Sequence, residues 1–250
     1  MMMYFSQSSG LISIEKLLVF IEKKEQQQKI LSIFFTLFIF LFTSFAATSI
    51  VQEIGKDKGT KLIEIILTNI KPEQYFLGKL IAVVILTMLQ ILIYGLSFLL
   101  VLISIFQNPK FHIDLDVFLE WNVLVSLFYM IFGVTIFSFI ASIAGSMIKR
   151  IEDISNGANL ALTLSLIGTY LGLWVTPFSP TSWISEFGAY FPFFSPFVVP
   201  VKLVVTDITV MEILYSSVIL ICSNIAILLL SISLYKKNCL NYYFRTRTSD

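Results

Sequence analysis

The chain has 250 residues, of which 57% are hydrophobic and only 13% charged, and its formal net charge is +1. With a mean hydropathy of +0.87, it has too few polar side chains to cover a water-soluble globule of this size. The chain is nearly neutral, and it has no block of basic residues interleaved with aromatic residues. Its charge therefore does not support a nucleic-acid partner. The composition therefore indicates an integral membrane protein.

Five uncharged runs are long enough to cross a hydrocarbon core of about 30 Å, which needs about 20 residues of helix. They do not alternate apolar with polar residues as barrel strands do, so the fold class is an all-α membrane protein with about five transmembrane helices. The predicted spans are Ile30–Gln52, Leu80–Pro109, Trp121–Ile148, Ile154–Thr176 and Ile213–Tyr235. They define a transmembrane domain at 30–235, preceded by an N-terminal flank at 1–29 and followed by a tail at 236–250.

Basic residues are distributed unevenly among the segments between these runs, and Lys and Arg favour the cytoplasmic side of a membrane. One side of the predicted topology holds Lys56, Lys58, Lys61, Lys71, Lys79, Lys149, Arg150, Lys236, Lys237, Arg245 and Arg247. The other side holds Lys110 and Lys202. This asymmetry predicts a cytoplasmic C-terminus.

The N-terminal flank conflicts with this arrangement, because five crossings place residues 1–29 outside although they contain four lysines. Two explanations remain open. Either the charge rule is loose for a first segment whose lysines are accompanied by glutamates, or the apolar stretch 11–21 is the remnant of something larger. The second explanation, which we favour, predicts an N-terminally shortened chain.

A short amphipathic pattern lies within the predicted loop 53–79. Its apolar residues at 62, 63, 65, 66 and 70 lie opposite a polar face whose spacings of three and four are helical. The polar face consists of Lys61, Glu64 and Thr68. Thr60 can cap the helix, which is predicted to end before Pro72. Such a helix lies at the cytoplasmic membrane surface, either as an interfacial anchor or as a docking element for a partner.

Residues 177–200 contain five prolines and many aromatic residues, so a continuous helix cannot form there. Broken backbone at membrane depth must be buried in protein or line a cavity, whereas aromatic residues prefer the interface. One or two short helices are therefore predicted to dip into the outer leaflet, as a re-entrant or interfacial segment, before the last crossing.

The sequence offers no catalytic motif. It lacks the GxxxxGK[ST] phosphate loop, so no ATP hydrolysis by the chain itself is expected, and energy must come from elsewhere. No metal or cofactor site is predicted, since His112 is the single histidine and the two cysteines lack metal-ligand spacing. No acidic residue lies within the five runs, which argues against an ion-coupled carrier and an intramembrane carboxylate protease.

Some small and polar residues within the runs are predicted to serve helix packing. Asn122, Asn159 and Asn224 are expected to make interhelical hydrogen bonds. Gly168 and Gly172 have the GxxxG spacing that allows two helices to approach closely.

Three segments share a pattern with a known family. The first has a glutamate and basic residues after a crossing, then Gly59-Thr60-x-x-x-Glu64-x-x-Leu67, then Pro72 and Leu77-Gly78-Lys79. The second is Phe191–Pro200, with its Pro-x-x-Ser-Pro element, and the weaker third is Gly145-Ser146 with Glu152-Asp153. Over roughly 28–235, the chain resembles the permease subunits of type-2 ABC exporters, most closely the sodium-extrusion and bacteriocin-export branch. Members of that branch usually begin with a further crossing and an extracellular domain, neither of which is visible before Gln28.

The resemblance implies a permease subunit in a bacterial plasma membrane, which exports a substrate with energy from a separate ATP-binding cassette subunit. It also implies pairing with a second permease chain, as a homodimer or heterodimer. By carry-over, the ATPase-coupling residues are Glu53, Lys58, Thr60, Lys61, Glu64 and Thr68. The element that opens the next helix is Pro72, Gly78 and Lys79, and the outer-leaflet segment contains Pro192, Ser195 and Pro196.

Two other classes of function compete with this interpretation. The main alternative is an accessory or immunity membrane protein that keeps the fold without transport. An intramembrane enzyme is disfavoured, because no nucleophile with an adjacent base, no metal cluster and no buried pair of carboxylates can be assembled from the sequence.

Overall fold

The computed structural model describes residues 30, 32–57, 69–106, 121–148, 153–206 and 208–247, and the regular elements in these ranges are helices. Five of them are long and apolar enough to cross a membrane, which confirms the predicted fold class. The main helices are α1 (Ser32–Asp57), α2 (Pro72–Phe106), α3 (Trp121–Met147), α4 (Asn159–Phe178), α5 (Trp183–Tyr190), α6 (Ser195–Val205) and α7 (Val210–Arg247). A short helical turn, Ile154–Gly157, precedes α4. The surface helix predicted within the loop 53–79 falls mainly on 58–68, outside the described residues.

Two helices extend beyond the uncharged runs of the sequence. α1 continues past Gln52 to Asp57, and α2 begins at Pro72 rather than at Leu80. Charged side chains in these turns bind one another, so the helices can continue without an unpaired charge at the membrane. Pro72 suits a first helical position, where no backbone N–H is needed. The proline that was expected to end the surface helix therefore also begins α2.

α3 is the most buried of the five spanning helices, and a row of hydrogen bonds joins it to α7. The bonded pairs are Tyr129–Ser217 at 3.1 Å, Thr135–Asn224 at 2.8 Å, Ser142–Ser231 at 2.9 Å and Ser146–Asn238 at 3.1 Å. Residue numbers rise together along both helices, so α3 and α7 are parallel. The four α7 residues recur at every seventh position. When two helices wind around each other with a left-handed twist, residues at this spacing stay on the face that contacts the partner helix. The interhelical bond predicted for Asn224 is confirmed, whereas the Asn159 amide donates locally to Asn156.

The parallel pairing of α3 and α7 determines the course of the chain between α4 and α7. α4 begins beside the end of α3, where Gly157 approaches Ile148, and it runs antiparallel to α3. Residues 179–209 therefore start and finish at the same end of the bundle. α6 has 11 residues and is about 16 Å long, roughly half of a hydrocarbon core. α5 and α6 thus form a hairpin of two helices too short to cross a membrane, which confirms the broken helices that the prolines of this segment predicted.

Glycines in α3 and α4 allow α6 to pack at very short distances. A Cβ atom at Gly172 would lie 2.5 Å from the carbonyl oxygen of Phe197, and one at Gly133 would lie 2.8 Å from Cβ of Pro196. Gly168 in turn leaves room for the Phe197 ring. The pair with GxxxG spacing therefore serves packing within the chain, between α4 and the hairpin.

The last part of α4 contains a π-helical turn, Leu171–Val175. The backbone N–H and the hydroxyl of Thr176 both donate to the carbonyl oxygen of Leu171, the hydroxyl at 2.9 Å. The widened turn comes directly before Pro177, which has no N–H to continue the helical hydrogen bonds. α4 consequently ends where the hairpin begins.

Gly172→Ala is expected to lower the free energy of unfolding by about 1–3 kcal/mol, because the added methyl group would overlap the Phe197 carbonyl. The midpoint of denaturation in detergent measures this effect. Gly78→Ala is the matched control, since a Cβ at Gly78 meets no heavy atom within 4 Å. Equal midpoints for wild type and Gly172→Ala would contradict the close packing of α4 on α6.

Candidate functional site at the basic end of the bundle

Three basic segments of the sequence meet at one end of the helix bundle, which we call the basic end. Lys236 of α7 forms an ion pair with Glu73 in the first turn of α2, at 2.6 Å. Asn238 of α7 donates to Ser146 near the end of α3, at 3.1 Å. The first turn of α2, the end of α3 and the C-terminal part of α7 therefore lie on the same side. This is the grouping that the distribution of Lys and Arg predicted.

Four side chains join the end of α1 to the start of α2, and we call them the Lys79 cluster: Glu53, Asp57, Tyr75 and Lys79. The ammonium group of Lys79 donates to the backbone carbonyl of Glu53 at 2.7 Å, to its carboxylate at 3.4 Å and to the carboxylate of Asp57. The Tyr75 hydroxyl donates to the same Asp57 oxygen at 2.6 Å. Lys79 also lies 5.4 Å from the centre of the Tyr75 ring.

The geometry of the Lys79 cluster follows from helical spacing. Glu53 and Asp57 are four residues apart on α1, and Tyr75 and Lys79 are four residues apart on α2, so each pair occupies one helix face. α1 and α2 approach each other through these faces. Hydrogen bonds to ionised groups are stronger than neutral ones, and the side chains of Asp57 and Lys79 are only 10% and 17% exposed. The cluster therefore fixes the distance between the two ends of the connection 58–71.

A second set of contacts links this region to α7. The rings of Phe76 and Tyr235 stack with their centres 4.4 Å apart, and both side chains are almost fully buried. The Lys236–Glu73 ion pair lies beside this stack, but both of its side chains are about half exposed. The aromatic stack is therefore the stronger link between α2 and α7, since exposed ion pairs contribute at most about 1 kcal/mol.

The predicted coupling residues and the predicted helix-entry residues separate into two groups. Glu53 and Lys79 lie in one hydrogen-bonded cluster, and Pro72 and Gly78 lie on the same first turns of α2. The remaining coupling residues lie outside the described part of the chain: Lys58, Thr60, Lys61, Glu64 and Thr68.

The predicted hairpin residues lie at the opposite end of the bundle. Pro196 and Ser195 are buried in the first turn of α6, whereas Pro192 lies in the turn between α5 and α6. Lys202 of α6, only 3% exposed, binds Glu186 of α5 at 2.5 Å. This ion pair joins the two helices of the hairpin.

The hairpin is also bound to the first turns of α7. The Ser216 hydroxyl donates to the carbonyl oxygen of Ala189 at 2.5 Å. α7 thus contacts the Lys79 region at one end and the hairpin at the other.

Sequence reasoning missed Asp57 and Tyr75, as well as the row of polar residues on α7. Both residues fall within the predicted loop 53–79. The sequence did contain a signal for this contact between helices, because one pair of polar residues at a spacing of four lies on each side of the loop. In α7, the polar residues at every seventh position of an apolar run were the corresponding signal.

The groups of the basic end hold helices in place and offer no metal site. Within the described ranges, no group of three or more His, Cys, Asp or Glu residues could hold a metal ion. The Lys79 cluster can transmit a movement from one helix to the other. A displacement of the connection 58–71 would act on the ends of α1 and α2 together, because the Lys79 cluster joins them.

A family model for ABC-2 family transporter proteins matches residues 7–233, which is most of the chain. The chain belongs to this family. It is therefore a multi-pass membrane protein of this family.

Comparison with individual proteins adds one relative. An uncharacterised protein of Methanocaldococcus jannaschii is 24% identical over 221 residues, which cover 88% of this chain and 52% of that protein. The chain thus spans about half the length of this relative. No solved structure matches the chain.

Asp57→Asn and Lys79→Met are each expected to lower the free energy of unfolding by about 2 kcal/mol, because each leaves a largely buried partner incompletely paired. The double variant should lose less than the sum of the two, as measured by denaturation in detergent. Lys236→Met serves as the control and should cost at most about 1 kcal/mol, since its ion pair is half exposed. Strict additivity of Asp57→Asn and Lys79→Met would contradict the direct interaction.

Proposed function

We propose that the chain is the permease subunit of an ATP-driven exporter in the plasma membrane, energised by a separate ATP-binding cassette subunit. Membership of the ABC-2 family supports the role of membrane subunit, and the Lys79 cluster is the observation that supports the coupling mechanism. The cluster links the end of α1 to the start of α2, and these are the two ends of the segment that contains the predicted docking helix. Two permease chains, identical or homologous, enclose the transport pathway.

The docking helix at 58–70 binds the ATP-binding subunit, with Glu64 and Lys61 on its polar face. When nucleotide binding moves that subunit, the helix moves with it. Because the Lys79 cluster fixes both ends of the segment, the movement tilts α1 and α2 together rather than separating them. The stack of Phe76 on Tyr235 extends the movement to α7, which gives the two-state element that alternating access requires.

The basic end faces the cytoplasm in this proposal, and the C-terminus lies there too. The three basic segments that meet at this end support the orientation, because Lys and Arg favour the cytoplasmic side. The α5–α6 hairpin then lies in the outer leaflet. Outward transport and the sodium-extrusion or bacteriocin-export branch rest on the resemblance of the motifs alone.

A non-transporting accessory or immunity protein is the second candidate. This alternative needs no coupling to a partner, because the contacts of the Lys79 cluster would also stabilise a bundle that does not transport. Transport activity in the second candidate would be absent, although the helix bundle and its packing would be the same.

Charge reversal in the docking helix tests the coupling proposal. Tagged wild-type chain is expected to co-purify with an ATP-binding subunit expressed from the same genome, whereas Glu64→Lys should lose this subunit and its ATPase activity. Glu212→Lys is the matched control, because Glu212 lies in the first turn of α7 at the opposite end of the bundle. If Glu64→Lys inserts normally and retains as much subunit as the control, the docking role is wrong. If wild type itself captures no ATP-binding subunit, the accessory role gains support.

Labelling of single cysteines tests the orientation. In a chain whose two cysteines are replaced by serine, a membrane-impermeant maleimide should label Lys110→Cys in intact cells. Lys237→Cys should react only after the cells are opened, because the C-terminal part of α7 is expected in the cytoplasm. The reverse pattern would invert the proposed topology and place the Lys79 cluster outside.

A further inference from the structure

An apolar cavity of about 140 Å³ lies between α1, α2 and α3. Its lining residues are Phe34, Phe35, Phe38, Phe42, Ile91, Tyr94, Gly95, Leu127 and Met130. They come from the first half of α1, the later part of α2 and the first turns of α3. Along α2, about 18 Å of helix separates Lys79 from Ile91. The cavity therefore lies in the half of the bundle opposite to the basic end.

The residues that line the cavity favour a hydrocarbon ligand. None of the lining residues is charged, and Tyr94 carries the one hydroxyl among them. Phe38 stacks on Phe42 with ring centres 5.9 Å apart, and Phe42 lies 6.0 Å from the Tyr94 ring, so aromatic side chains form much of the wall. An apolar cavity of comparable size in a soluble protein stays free of water and binds small hydrocarbons. Water and polar solutes are therefore poor occupants.

The surroundings of the cavity indicate where the hydrocarbon comes from. Leu37 and Leu41 on α1 and Leu92 and Leu96 on α2 are each about half exposed, and they lie close in sequence to the lining residues. On helices that span a membrane, exposed leucines face acyl chains, so lipid is the solvent around the cavity. Tyr94 is half exposed, and amphipathic rings of this kind prefer the depth of the lipid headgroups.

We propose that this cavity is a binding site for one acyl chain of a membrane phospholipid, with Tyr94 beside the ester region of the lipid. The site requires only that α1, α2 and α3 span a bilayer, and it does not depend on the transport function. The space beside Gly95 is open, because a Cβ at this position would meet no heavy atom within 4 Å. The bound chain fills the space that the three helices leave between them.

Photolabelling in a defined bilayer tests the site. The chain is reconstituted into nanodiscs of phosphatidylethanolamine and phosphatidylglycerol that contain a phosphatidylglycerol with a diazirine on its acyl chain. After irradiation, mass spectrometry should place the label on peptides around 34–42 and 91–95, several-fold above the exposed face of α7 at 214–230.

Three variants make the result specific. Gly95→Leu should reduce labelling of the cavity peptides several-fold, because the new side chain occupies the site. Ala82→Leu adds an apolar side chain at an exposed position of the same helix, away from the cavity, and should leave the labelling unchanged. Phe38→Ala widens the cavity and should raise the labelling, which gives a test with the opposite sign if Gly95→Leu fails to insert.

Several results would overturn the proposal. Label spread evenly over α2 and α7, or labelling that neither Gly95→Leu nor Phe38→Ala changes, would indicate ordinary lipid around the protein. Cross-links between the cavity peptides and a second copy of the chain, in place of lipid adducts, would show that a neighbouring subunit fills the cavity.

Discussion

The hydrogen-bonded pairing of α3 with α7 is the interaction on which the rest of the bundle depends. Lipid tails are as apolar as leucine side chains, so helices in a membrane gain little from hydrophobic association and rely on close packing and polar contacts. The bonded row runs from Tyr129 to Ser146, about 25 Å of helix, and so covers most of a hydrocarbon core. Each such bond contributes about 0.6–1 kcal/mol, and the row fixes both the direction and the register of α7.

The position of the α5–α6 hairpin follows from this pairing. Since α7 is parallel to α3 whereas α4, which precedes it in the chain, is antiparallel to both, the segment between α4 and α7 has to turn back without crossing. The glycines that face α6 make this possible, because they allow the backbone of α4 to approach Phe197 directly. The ion pair between the buried Lys202 and the half-exposed Glu186 then joins α6 to α5.

The two ends of the bundle are connected through α7. At the basic end, the Phe76–Tyr235 stack joins α7 to α2, and at the other end the Ser216 hydroxyl binds the backbone of α5 at Ala189. The hydrogen bonds to α3 keep α7 in register between these contacts. In the proposed transport cycle, α2 receives the motion of the ATP-binding subunit at the basic end. Because α7 contacts both α2 and the α5–α6 hairpin, it connects the two ends of the bundle.

The sequence by itself determined the class of protein, the number of crossings, the grouping of the basic segments and the broken helices before the last crossing. These properties depend on composition, run length and proline chemistry, which are local and need no knowledge of neighbours. The motif residues Glu53 and Lys79 were also identified from the sequence, although the role of each in coupling stays a prediction.

Only the tertiary structure decided which residues meet across helices. Asp57 belongs to α1 because Lys79 and Tyr75 bind its carboxylate, and in isolation an aspartate after an apolar run predicts a loop. Likewise, Ser217, Ser231 and Asn238 acquire their function from partners nearly ninety or more positions away in the sequence. The same holds for Gly172, whose spacing predicts close packing but whose partner, the backbone of α6, is set by the parallel course of α3 and α7. Contacts of this kind depend on how the helices are arranged, and local sequence patterns do not contain that information.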